Sequence, residues 1–357
     1  MTGKKWSLMV LGLALVLLLL LGGFTAVIDP FFHYHAPLDG LSYELLNTKQ
    51  RYINDGISRN FDYEVLITGT SMTENFSASL AEELYGGAAI KLPFEGASFR
   101  EIDLSTRRAI NANDELAVVV RSLDYFVTAN DKDDMLYDTA VYPDYLYDRD
   151  IFNDVSYVLN KTVLFENTLP TLIRTARGEE MTYFDQYSRM SPLLFGVDLP
   201  EGGIGDAPEE RHHATENQLE LTEANISQNL RQTVMDNPQV DFYFFFPPYS
   251  LIHWNTLRPG GRVDEHVDIA RKTAELLVDL DNAHVFDFNM RLDMIAELSH
   301  YQPDGCHYDG YISDMILETM ASEEGRLTEE NYIDYFDSLS EFLRLTDFNS
   351  YLQEQQG

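Results

Sequence analysis

One stretch near the N-terminus constrains this chain more than any other. Trp6 to Ile28 contains no charged residue, and Leu13 to Leu21 is leucine and valine with a single alanine. A helix rising ~1.5 Å per residue over that length spans a hydrocarbon core of ~30 Å. Lys4 and Lys5 precede the run and Asp29 follows it. The positive-inside tendency then predicts a cytoplasmic N-terminus, with everything beyond Asp29 outside. A cleaved signal peptide is the rival reading. Against it, the run exceeds the ~7–15 residues of a usual signal core, and Gly22-Gly23-Phe24-Thr25-Ala26 offers no clear small-x-small cleavage site. The expectation is an uncleaved anchor over residues 1–28: a single-pass protein at the cell membrane, with its remaining domain extracytoplasmic, and neither a channel nor a transporter.

Charge narrows the partners. Across 357 residues, 59 acidic side chains face 25 basic ones, a formal net charge of −34. A phosphate backbone would be repelled, so nucleic acid is excluded as a partner. Cys306 is the lone cysteine, which rules out an internal disulfide and any cysteine-rich metal site. His33 and His35 flank one residue, a pattern that reads as interfacial or surface rather than as a metal site. The sequence implies no metal and no organic cofactor.

Residues 29–60 read as a membrane-proximal connector, and residues 61–357 as one domain. In that domain a regular alternation begins. Glu64–Thr68 is a short apolar run ending at Gly69, which predicts a buried strand. Phe76–Leu84 has helical spacing, Ala88–Leu92 is a second strand, and Ser98–Ile110 is a helix with Glu101 at capping-box distance from Ser98. Leu116–Val120 is a third strand. Such alternation implies parallel pairing with helices on both faces. It stops at about 126–218, a stretch rich in tyrosine, proline and acid that reads as an insertion or cap over the sheet. Tyr137, Tyr142, Tyr145, Tyr147 and Tyr157 there are suited either to stacking on sugar rings or to packing on the sheet. The pattern then resumes with a helix at Leu219–Met235, a strand at Asp241–Phe246, a helix at Val263–Leu280, a strand at His284–Asp287, a helix at Gly310–Met320 and acidic helices from Glu329.

In an open parallel sheet, functional groups gather at the carboxyl ends of the strands. The first strand ends Gly69-Thr70-Ser71-Met72-Thr73-Glu74-Asn75. A serine beside a glycine, just past a buried strand and opening a helix, is placed to be a nucleophile with backbone N–H donors for an oxyanion; a plain N-cap is the simpler reading. The second strand is followed by Gly96, which is either a turn residue or an oxyanion donor. A late loop reads Pro303-Asp304-Gly305-Cys306-His307. Its Asp304 can turn back onto the His307 imidazole and fix its tautomer. Tyr249, His253 and Asp124 lie at or just beyond other strand ends and are candidate substrate contacts.

Ser71 after the first strand, Gly96 after the second and Asp304-x-x-His307 before a late helix together resemble the SGNH/GDSL hydrolase superfamily, and more narrowly its membrane-anchored bacterial envelope members. The resemblance covers about residues 62–320, apart from the insertion. It implies a three-layer α/β/α, flavodoxin-like fold around a central parallel sheet. It also implies roles: Ser71 as nucleophile, His307 as general base and then acid, Asp304 as its orienting partner, and the Ser71 and Gly96 amides as oxyanion donors. The family's third block, G-x-N-D, is missing. Here the third strand ends Arg121-Ser122-Leu123-Asp124, and a carboxylate cannot donate. Either the Ser71 and Gly96 amides suffice, or Asn75 or Ser122 supplies a further donor, or the site is altered.

The expected function is a serine esterase removing O-acyl groups from cell-envelope glycans through an acyl-serine. The rival readings are an O-acyltransferase for a cell-surface polymer and a catalytically inactive glycan-binding envelope protein.

Overall fold

The computed structural model describes residues 3–45, 49–135 and 142–355. Five apolar runs form the strands β1 (Val65–Gly69), β2 (Ala89–Pro93), β3 (Val118–Ser122), β4 (Asp241–Phe246) and β5 (Ala283–Asp287). All pair in parallel, in the order β2-β1-β3-β4-β5. Val65 lies opposite Ala89 on one side and Val118 on the other, and Phe242 lies opposite Ala283. Every residue of β1 and β2 is buried, as expected of parallel strands covered on both faces. The parallel sheet flanked by helices agrees with the expectation from sequence.

Helices flank the sheet in two groups. Ala78–Tyr85 packs against Gly310–Ala321. Phe99–Ala112 packs against the Ser227–Arg231 segment, and Val263–Glu275 packs against both Glu216–Ile226 and Tyr332–Leu345. Ser98 caps Phe99–Ala112 by accepting the Glu101 N–H at 3.2 Å. The run expected as one helix from Leu219 starts at Glu216 and widens into a π-turn over Ser227–Arg231. There Arg121 of β3, fully enclosed, donates to the carbonyls of Asn229 and Phe99 at 3.1 and 3.2 Å. Burial lowers its pKa to about 10.

The chain divides into two compact units. One holds Met1–Asp62 with Tyr137–Tyr187; the other holds Tyr63–Leu136 with Ser188–Gly357, including the whole sheet. The insertion seen in the sequence is therefore not one piece. Of its described residues, 142–187 fold with the connector, and only the remainder folds with the sheet. Tyr157 is buried against Phe31, with ring centroids 5.3 Å apart, and the Tyr147 hydroxyl donates to the Arg51 carbonyl at 2.6 Å. These two tyrosines pack within the first unit rather than on the sheet. Tyr137 lies outside the described residues.

The first unit is built onto the end of the apolar helix Gly3–Ile28, a run long enough to cross a membrane. Most of its leucines are exposed, but Gly22, Thr25 and Ile28 are buried. Asp29, wholly enclosed, stops the helix with φ of 47°. Its carboxylate accepts the backbone N–H groups of His33, Tyr34 and His35 at 3.0, 2.7 and 3.1 Å and the Tyr157 hydroxyl at 2.7 Å. His33 is buried rather than surface-exposed, and bridges Asp154 and Arg59. Among the described residues no group of three or more His, Cys, Asp or Glu side chains converges.

Candidate active site

The crevice at the carboxyl ends of β1 and β3 is where the strand order reverses, the position at which such sheets bind ligands. Ser71 follows β1 there. It does not open an α-helix, as expected; Ser71–Thr73 is a single 3₁₀ turn, and the next α-helix begins at Ala78. Backbone donors are thus local N–H groups rather than the end of a helix dipole. Gly69 is required by space, since a Cβ would sit 2.7 Å from the Thr73 methyl.

Three buried groups fix this turn. Thr70 accepts the Met72 N–H at 3.3 Å. Lys91, enclosed in β2, donates its ammonium to the carbonyls of Glu74 and Phe76. Asn75 donates to the Tyr308 carbonyl at 2.6 Å and accepts the Met190 N–H at 3.0 Å. Both ends of the Asn75 amide are thereby committed. Its place is to tie the serine turn to the histidine loop, with one N–H of its amide held by the Tyr308 carbonyl.

The histidine loop is a tight hairpin. Gln302 donates to the His307 carbonyl and Gly305 to that of Gln302, both at 2.9 Å, and Ser250 N–H reaches the Gly305 carbonyl at 2.9 Å. Gly305 has φ of 72°, and a Cβ would lie 2.6 Å from the His253 nitrogen, so only glycine fits. This shape turns Asp304 back on its own loop. Its Oδ1 accepts the N–H groups of Cys306 and His307 at 2.9 and 3.1 Å, and its Oδ2 meets His307 Nδ1 at 2.5 Å. His307 Nε2 faces Ser71 Oγ at 2.8 Å. Burial alone would lower the imidazole's pKa, but the Asp304 hydrogen bond and charge, with Glu74 and Asp124 beyond, raise it above its ordinary value. Burial raises the Asp304 carboxyl, and the His307 bond and the two backbone N–H groups outweigh it, so the net shift is down. The His307 and Asp304 side chains are 26% and 45% exposed, which leaves the dyad open to water.

The other candidates fall out differently. Gly96 stands in an exposed turn after β2 with φ of 63°. Asp124 is buried at the end of β3, where its carboxylate accepts the Ser122 hydroxyl at 2.6 Å and lies near the Thr70 side chain. Burial raises its pKa above the ordinary carboxylate range. Ser122 is spent on this contact and is no oxyanion donor. Tyr249 and His253 are both buried, not substrate-facing. Tyr249 bonds Asn289 and Tyr125; His253 touches the Cys306 sulfur at 3.4 Å, and burial holds its pKa near 4. Sequence reasoning missed Thr70, Lys91 and Met190. A lysine inside an apolar strand was the visible signal for Lys91.

No family model matches the chain, and no curated protein matches it. In fold it is distantly similar to a solved structure from Streptococcus pneumonia described as "a putative platelet activating factor", at 11% identity and a TM-score of 0.38, covering 78% of this chain and 91% of that one. At that distance a functional reading rests on the site's own geometry.

Proposed function

We propose that the chain is a membrane-anchored serine esterase of SGNH type, acting on O-acyl groups of cell-envelope glycans. The observation that carries this is the line of hydrogen bonds from Ser71 Oγ through His307 to Asp304. His307 Nε2 takes the Ser71 proton as Oγ attacks the ester carbonyl, and Asp304 holds Nδ1–H and stabilises the imidazolium. The Ser71 and Gly96 amides receive the oxyanion. His307 returns its proton to the departing sugar oxygen, then activates water against the acyl-serine. Asp124 acts as a positioning residue, holding Thr70 beside the nucleophile.

The envelope glycan follows from the anchor, since a tethered site meets polymers within its reach. Retention of the helix is supported by its junction: removal of a leader near Ala26 would strip Gly22 and Thr25 from a packed interface and leave Asp29, Phe31 and Phe32, all enclosed, at a raw end.

The test is labelling of the full chain in detergent with a serine-reactive fluorophosphonate. Wild type is expected to label and Ser71→Ala to lose the label while its circular dichroism is unchanged. Equal labelling of the two would remove Ser71 from the mechanism.

A further inference from the structure

The first unit carries exposed apolar side chains where the helix Gly3–Ile28 enters it. Ile151, Phe152, Val155, Leu159 and Phe165 are 71%, 88%, 53%, 39% and 64% exposed. Val155 and Phe165 belong to segments that pack on the helix, Val155–Val158 and Leu164–Thr168. Leu159 follows the first of them, with its Cδ2 3.3 Å from where a Cβ on Gly22 would lie, and Ile151 and Phe152 stand on the turn just before that segment. Small residues permit such close approach beside a membrane helix. The tip that presents Ile151 and Phe152 is knit by its own acids, with Asp148 accepting the Asp150 N–H at 2.8 Å and Asp150 accepting the Phe152 N–H at 3.0 Å.

The length of the helix gives these side chains an occupant. Protein covers one face from Gly22 onward. The uncovered apolar part, Trp6 to Leu21, is about 16 residues, or ~24 Å at ~1.5 Å per residue. A hydrocarbon core is ~30 Å thick, so roughly 6 Å of acyl chain must lie beside residues 22–25. On the opposite face Val27 is still 61% exposed, as a side chain in lipid would be.

We infer that Ile151, Phe152, Val155, Leu159 and Phe165 form an apolar collar that enters the acyl-chain boundary of the leaflet from which the helix emerges. The first unit is therefore seated in the bilayer rather than tethered above it. Burial of apolar area at the interface supplies the attraction. Asp148 and Asp150 flank the tip and disfavour strongly anionic lipid, so the collar suits a zwitterionic surface. The inference rests on the helix being a retained anchor.

The experiment uses the full chain in phosphatidylcholine vesicles, with a nitroxide on Phe152→Cys or on Leu17→Cys; Cys306 is buried, and unsubstituted chain serves as the blank. Relaxation by oxygen and by a water-soluble nickel chelate is compared. Both labels are expected to favour oxygen, the Leu17 label more strongly. A Phe152 label whose ratio equals that of free nitroxide in buffer, while the Leu17 label is immersed, overturns the collar alone. An aqueous Leu17 label overturns the anchor and the collar together. As an independent readout, the emission added by Phe152→Trp is expected to be largely lost in vesicles of acyl-brominated lipid; unchanged emission overturns the collar.

Discussion

Ser71 and His307 stand 236 residues apart in sequence and 2.8 Å apart in space. Neither reaches the other through its own strand or helix. Two turns carry them, and Asn75 joins the turns by bonding the carbonyl of Tyr308.

The pH dependence follows from that contact. In the proposed mechanism His307 must be neutral at Nε2 to accept the serine proton. Its pKa is raised in the fold, so activity is lost as pH falls through a value above histidine's usual ~6.5. Asp304→Asn removes the charge, and with it the charge-assisted hydrogen bond, that together outweigh burial. The acidic limb should then move to lower pH while the maximal rate falls roughly 10³–10⁴-fold. Rate profiles of both forms on a simple acetyl ester decide this, and an unmoved limb would separate Asp304 from the imidazole.

Asn75→Ala should act on stability and geometry together. It takes the Asn75 amide from the buried Tyr308 carbonyl and the half-buried Met190 N–H, at about 1–3 kcal/mol. Denaturant unfolding is expected to show that loss, with a fall in turnover because the serine turn and histidine loop lose their tie. A stable, fully active variant would show that the tie is dispensable.

Asp29→Ala tests the junction. Three backbone N–H groups and the Tyr157 hydroxyl lose their acceptor in an enclosed site. A loss of ~3 kcal/mol or more is expected. Thermal unfolding in detergent reads it, and an unchanged midpoint would mean that the helix end is not integral to its unit.

As proposed reactions, hydrolysis and transfer would share an acyl-Ser71 and differ in what reaches it. The half-exposed Asp304 and partly exposed His307 leave water access, so acetate release from an acetyl ester should be unaffected by an added glycan acceptor. Acylated glycan formed at the expense of acetate would instead identify a transferase.

Much of this was legible in the chain itself. The strands could be read because a parallel strand buried on both faces is built mainly from apolar residues, as in Val65–Gly69 and in the Val118–Val120 run that opens β3 ahead of Arg121 and Ser122. Asp304 and His307 could be read as a pair because three residues of loop suffice to fold one onto the other. The apolar helix could be read because length and lack of charge are local properties. Asn75 shows the limit: the sequence offered it as an oxyanion donor, but where an amide points depends on which loop, here one 233 residues away, comes to meet it. Ser122, Tyr249 and His253 fail as site contacts for the same reason, since burial is a property of the assembled layers. The division of the insertion also lay beyond the sequence. Its 137–187 part joins the connector because Asp29 finds Tyr157, a pairing of two polar groups that no periodicity announces. Local pattern determined the elements, their order and the two halves of the proposed triad; only the tertiary structure decided which side chains are spent holding the candidate site and which remain for chemistry, because each buried polar group takes whatever partner the fold brings within ~3 Å.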